Sequence, residues 1–124
     1  IALSVLTTVI GHQPEKGWAI VDAGWMAMSR DRGTQRQRHD YGYGQVCDAE
    51  GRVLPGYVLT GANQEHGILA REGEADPGIV QRFPVGTTLR ILPNHACATA
   101  AQFPQYVGVT ADGALREWPR FQGW

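Results

Sequence analysis

Short β-branched and aromatic runs succeed one another along this chain, and glycine, proline or an Asp-Gly pair closes nearly every one. Turn signals at intervals of about eight to twelve residues predict antiparallel strands that fold into a barrel or a sandwich. Ala2–Ile10 and Trp18–Asp22 read as a hairpin across the polar turn Gly11-His-Gln-Pro-Glu-Lys-Gly17. Tyr43–Cys47 and Arg52–Pro55 read as a second, around Asp48-Ala-Glu-Gly51. Tyr57–Ala62, Gly67–Arg71 and Thr87–Leu92 are further strands, and Tyr106–Thr110 with Ala114–Trp118 makes a hairpin on Asp112-Gly113. Trp25–Ser29 and Ala96–Gln102 read as short helices, the second capped by Asn94 and ended before Pro104. Arg30–Gly42 is left as a long polar loop, a length usually reserved for function. The expected fold is mainly β, an antiparallel barrel or sandwich with one or two short helices in one domain over residues 1–124.

Charge narrows the partners. The formal net charge is -1, which gives no electrostatic case for nucleic acid or an anionic membrane. No apolar stretch is long enough to span a bilayer, and Ile1–Ile10 lacks a basic leader region, so it reads as a strand and not a signal peptide. The absent initiator Met suggests a piece of a longer chain. Without a secretory signal, Cys47 and Cys97 are expected as free thiols in the cytoplasm.

One segment carries chemistry. Leu89-Arg-Ile-Leu-Pro-Asn-His-Ala-Cys-Ala-Thr99 puts an imidazole and a thiol two residues apart just after a strand. In extended backbone, positions i and i+2 share a side, so His95 and Cys97 could hold one borderline metal ion, zinc above all. In a first helical turn the thiol would instead be favoured as thiolate by the helix dipole. Two protein ligands leave coordination positions for water or substrate, which is the pattern of a catalytic metal. The residues alone also admit a buried small cysteine beside a structural histidine.

The order and spacing of Val21-Asp-Ala-Gly24, Gly61-Ala-Asn-Gln-Glu-His-Gly67 and the Pro93-Asn-His-Ala-Cys97 block resemble the C-terminal domain of the D-serine dehydratase and D-threonine aldolase family. The Asp112-Gly113 hairpin followed by Trp118-Pro119 extends the resemblance over essentially the whole chain. It implies a pyridoxal-phosphate enzyme of the alanine-racemase fold type, whose N-terminal α/β barrel carries the cofactor and whose C-terminal β-domain closes the active site. It implies that His95 and Cys97 bind zinc or another divalent metal, which polarises the β-hydroxyl of a small D-amino acid as a Lewis acid. Water loss and retro-aldol cleavage use the same hardware; the thiol at position 97, where aldolases usually carry Asp, leans towards the dehydratases. Trp25-Met26 replace the Ser-Lys that often follows Asp-Ala-Gly, which leaves the substrate open. The resemblance also implies a homodimer in which this domain meets a barrel.

Lys16 is the only lysine, and it sits in a polar turn. An imine-forming lysine must be desolvated, so lysine and phosphate groups are expected on the N-terminal barrel, absent from this chain. The fragment alone would then be inactive. Glu65-His66 reads either as a substrate-facing pair, with Glu65 orienting a proton-shuttling or metal-supporting imidazole, or as a loop anchor. His39-Asp40 is expected as a solvated surface pair, His12 as solvent-facing, Cys47 as buried, and Asp22 as a cap on the turn that follows it. The tyrosines and tryptophans are assigned to core or interface, and the aromatic tail Pro119–Trp124 to packing on the body. Two other classes compete: a stand-alone β-domain with a structural or binding role, and an autonomous zinc hydrolase with His66 as third ligand.

Overall fold

The structure, a computed structural model, describes residues 1–121. Six antiparallel strands close into a barrel in the order β1-β2-β5-β4-β3-β6, with β6 returning to β1. They are β1 (Val5–Gln13), β2 (Trp18–Val21), β3 (Gly44–Cys47), β4 (Val53–Ala62), β5 (Gly67–Arg71) and β6 (Thr88–Pro93). Closure leaves no free edge in this sheet. A separate hairpin of β7 (Gln105–Val109) and β8 (Leu115–Pro119) follows, turned at Gly113.

Alternation along the strands builds the core. In β1, Val5, Thr7 and Val9 point inward and are buried; in β6, Leu89, Ile91 and Pro93 do the same. Val21, Val46, Leu59 and Leu69 meet them, each with no exposed surface. Burying a Val or Leu side chain contributes roughly 1.5–3 kcal/mol, so this strip is what specifies the inward register.

Three short helices sit at the barrel's ends: α1 (Trp25–Met28), α2 (Ile79–Arg82) and α3 (Ala96–Ala100). Strand registers fix which end each occupies. Val21 pairs with Gly67, Ala62 with Gly67, Gly44 with Pro93, and Val5 with Ile91, so these termini lie at one rim. The chain leaves that rim into α1 after β2 and into α3 after β6. At the other rim α2 contributes Ile79, and Phe83 just after it packs edge-on against Tyr57 with ring centroids 5.0 Å apart. No helix among the described residues is long and apolar enough to cross a membrane.

The mainly β fold holds, as a barrel and not a sandwich. Arg52–Pro55 and Tyr57–Ala62, expected as two strands, are one, because Gly56 takes φ +78° and lets β4 continue through the kink that Pro55-Gly56 suggests. The one-turn helix α2 lies in a stretch with no helical period long enough to announce it. Phe121 is fully exposed, so that part of the expected tail packing fails; Gln122–Trp124 lie outside the described residues.

Candidate metal centre

The three sequence blocks singled out above converge on one rim. Gly24, the last residue before α1, lies against the Asn63–His66 turn so closely that a Cβ there would stand 2.3 Å from the Asn63 carbonyl oxygen. Only glycine fits such an approach. The backbone amides of Trp25 and Met26 donate to the carbonyls of Asn63 and Gln64 at 2.9 and 3.2 Å. On its other side α1 meets α3: the buried Thr99 hydroxyl donates to the Met28 carbonyl at 2.7 Å, and the Gln102 amide donates to the Trp25 carbonyl at 3.1 Å.

His95 occupies the cap position of α3 in extended backbone, φ -132° and ψ 91°, and Cys97 is in the helix's first turn. Asn94 makes no cap. Its side-chain amide instead donates to the Gly42 carbonyl at 2.5 Å, tying the end of the long loop to the residue before His95. The two candidate ligands therefore straddle a strand-to-helix transition, a third arrangement beside the two that the sequence allows. Both are exposed, and Cys97 is a free thiol.

The imidazole has a partner that the sequence did not indicate. His95 Nδ1 donates to Oδ2 of Asp31, 64 residues away in the Arg30–Gly42 loop. A carboxylate only accepts, so Nδ1 carries the proton and Nε2 is the nitrogen with a lone pair to give. No hydrogen bond occupies Nε2 among the described residues. The chain reaches Asp31 through Ser29, a non-glycine residue at φ 73° and ψ 169°. That conformation costs on the order of 1–3 kcal/mol. An unexposed clamp on one side (Thr99 to Met28) and the Asn94 bond on the other hold the loop beside His95. Within it, Asp40 accepts from Arg32 at 2.7 Å, Thr34 at 3.0 Å and the Gly42 amide at 3.0 Å. Desolvation opposes the charge on Asp40, but these donors, with the Gly42 amide foremost, outweigh it and hold the carboxyl below the usual range.

An imidazole with one nitrogen spoken for by a carboxylate, and a thiol two residues on, are donors suited to zinc. Among the described residues, no three His, Cys, Asp or Glu side chains gather as a closed cage. Two such donors fall short of the four that close a structural zinc site.

Other expectations fare variously. Glu65 accepts from Gln64 at 3.5 Å and makes no bond to His66, so it does not orient that ring. His66 lines a shallow groove on the outer wall with His12, Trp18, Ile20 and Ile68, which no α3 residue lines. His39 and Asp40 are not a pair: His39 Nε2 meets Glu72 at 2.9 Å. His12 is half-buried, with Nε2 donating to the Phe83 carbonyl at 2.7 Å, where solvent was expected. Asp22 binds back to β1 through the Thr7 hydroxyl (2.6 Å) and Thr8 amide (2.8 Å) and does not cap the next turn. Cys47 is fully buried, and desolvation pushes its thiol pKa up. Lys16 lies in the β1–β2 turn at the opposite rim from His95, exposed and stacked on Trp18. So placed, Lys16 lacks the desolvated setting that an imine-forming lysine needs.

A closed antiparallel barrel with an imidazole and a thiol on one rim defines a class, and comparison identifies the family. The profile of the "Putative serine dehydratase domain" family matches residues 2–109, and the chain belongs to that family. It is 72% identical to D-threo-3-hydroxyaspartate dehydratase of Delftia sp. strain HT23, over 100% of this chain and 33% of that protein. It is 31% identical to the D-serine dehydratase of Saccharomyces cerevisiae, over 97% of this chain and 28% of that protein. The chain thus spans at most about a third of the relatives it matches. The Delftia enzyme's structure superposes with a TM-score of 0.96, covering 100% of this chain and 33% of that one. An alanine-racemase-like protein of Idiomarina loihiensis, 51% identical, gives 0.89 over 98% of this chain and 32% of its own. D-threo-3-hydroxyaspartate dehydratase has also been solved as a histidine-to-alanine mutant and, in a metal-free form, as a cysteine-to-alanine mutant. Those two substituted positions are two residues apart, the separation of His95 and Cys97.

Proposed function

We propose that this chain is the C-terminal, metal-binding part of a pyridoxal-phosphate-dependent dehydratase acting on a β-hydroxy D-amino acid of the D-threo-3-hydroxyaspartate or D-serine kind. One observation carries the proposal: an exposed His-X-Cys pair, with the imidazole's second nitrogen already engaged, in a chain 72% identical over its length to a third of a D-threo-3-hydroxyaspartate dehydratase. His95 Nε2 and Cys97 Sγ hold the ion, and α1 and α3 fix the backbone that presents them. A zinc ion so bound supplies Lewis acidity to a hydroxyl oxygen. The pyridoxal group supplies an electron sink and resides, with its lysine, on an N-terminal barrel outside this chain.

The exposed apolar residues of the β7–β8 hairpin, Val107, Val109, Leu115 and Trp118, support a second domain or subunit against this one, as does the share of the relatives that the chain spans. A homodimer belongs to the same proposal. His66 stands at the α1 rim, and we extend the proposal to it as a substrate-facing or proton-relaying group; Glu65 has no part in it.

The test is zinc content and dehydration of D-threo-3-hydroxyaspartate and D-serine by the full-length protein, with His95→Ala and Cys97→Ala beside it. Loss of stoichiometric zinc and of keto-acid release in both variants is expected. Undiminished zinc in either variant would remove that residue from the site. His66→Ala should slow turnover while zinc stays bound.

A further inference from the structure

We propose that Asp31 is the positioning residue of the metal centre: its carboxylate holds His95 Nδ1 and so aims Nε2 at the ion. The inference rests on the proposed metal role of His95 and Cys97, and concerns a residue that neither the motif nor the family match marks.

Three observations carry it. First, the hydrogen bond uses Nδ1 and Oδ2, which leaves the opposite ring nitrogen available and sets the tautomer a metal requires. Second, Asp31 has two arginine neighbours in sequence, yet neither takes it. Arg30 stacks its guanidinium 4.4 Å from the Trp25 ring, and Arg32 binds Asp40 at 2.7 Å. The carboxylate is thus kept for the imidazole. Third, the loop that carries Asp31 is pinned on both sides of His95. Thr99, four residues after His95, bonds Met28, three residues before Asp31; Asn94, just before His95, bonds Gly42 at the loop's end. Asp31 and His95 are each about half exposed, and an exposed ion pair stabilises a fold little. Folding stability does not explain so much apparatus around this contact. Orientation of a ligand does, because partners of a ligating histidine raise its basicity and fix its ring.

The experiment uses full-length protein stripped of metal, with zinc affinity read by competition against a chromophoric chelator, and thermal unfolding measured with and without zinc. Asp31→Ala is expected to weaken zinc binding roughly 10- to 100-fold. Its unfolding temperature without metal should match the parent's, and the rise on adding zinc should shrink. Asp31→Asn, which keeps a neutral acceptor for Nδ1, should recover part of the affinity. Parental zinc affinity in Asp31→Ala would overturn the inference, as would a loss matched by an equal fall in metal-free unfolding temperature. His95→Ala and Cys97→Ala run alongside. If they too keep zinc, the metal reading itself has failed; if they lose it while Asp31→Ala does not, only the role of Asp31 falls.

Discussion

Replacing Thr99 by valine removes one hydroxyl and keeps the side chain's shape, which makes it a clean probe of the clamp between α1 and α3. Thr99 has no exposed surface, and its hydroxyl donates to the Met28 carbonyl at 2.7 Å. Valine leaves that carbonyl facing hydrocarbon. An unsatisfied buried acceptor costs about 1–3 kcal/mol, against about 1 kcal/mol for an average bond whose partners return to water. For a chain of this size each kcal/mol lowers the unfolding temperature by roughly 4 °C. The expected fall is therefore roughly 4–12 °C, read by calorimetry or circular dichroism on metal-free protein. Thr99→Ser should recover most of it, since it restores the donor and loses only a methyl. Because Met28 precedes Asp31 and Thr99 follows His95, zinc affinity should fall too, though less than on removing either ligand. A Thr99→Val protein within about 1 °C of the parent would show that the carbonyl finds another donor, and the clamp would lose its place in the account.

Three further outcomes follow from the same structure. Gly24→Ala should be destabilised by at least about 2 kcal/mol in urea titrations, because its Cβ would overlap backbone atoms of Asn63, Gln64 and His66 that cannot swing aside. Asp76 accepts from the Tyr57 hydroxyl at 2.5 Å, the Gly78 amide and Arg82, which together hold its carboxyl below the usual range. A depressed folded pKa gives stability that is full above the unfolded value near ~4 and is lost as pH falls through the lower folded value. Asp76→Asn should therefore be less stable than the parent at pH 7, and the gap should narrow towards pH 3. Thiol titration of the native, metal-free protein should modify Cys97 quickly and Cys47 only on unfolding, with zinc protecting Cys97.

Much of the fold was legible because its signals are local. The period-two burial of β1 and β6, the Asp112-Gly113 turn and the short helix after Asn94 all follow from neighbours in sequence. What escaped depended on contacts between distant segments. Gly56 looks like a strand breaker until its positive φ is seen to carry β4 through a kink. Asn94 has the composition of a helix cap but spends its amide on Gly42, 52 residues away. The Pro93–Cys97 block announced a candidate site because two ligand types at a set spacing are visible in a string. Asp31 did not, since an aspartate between arginines in a polar loop resembles any solvated charge. His12 was misplaced for the same reason: its partner, the Phe83 carbonyl 71 residues away, is decided by packing and not by pattern.

X-ray absorption at the zinc edge of the full-length protein tests the central claim most directly. One sulfur near ~2.3 Å and nitrogen or oxygen near ~2.0–2.1 Å are expected, with the sulfur shell gone from whatever zinc Cys97→Ala retains. A first shell of nitrogen and oxygen alone in the parent would contradict it, because Cys97 would then hold no metal.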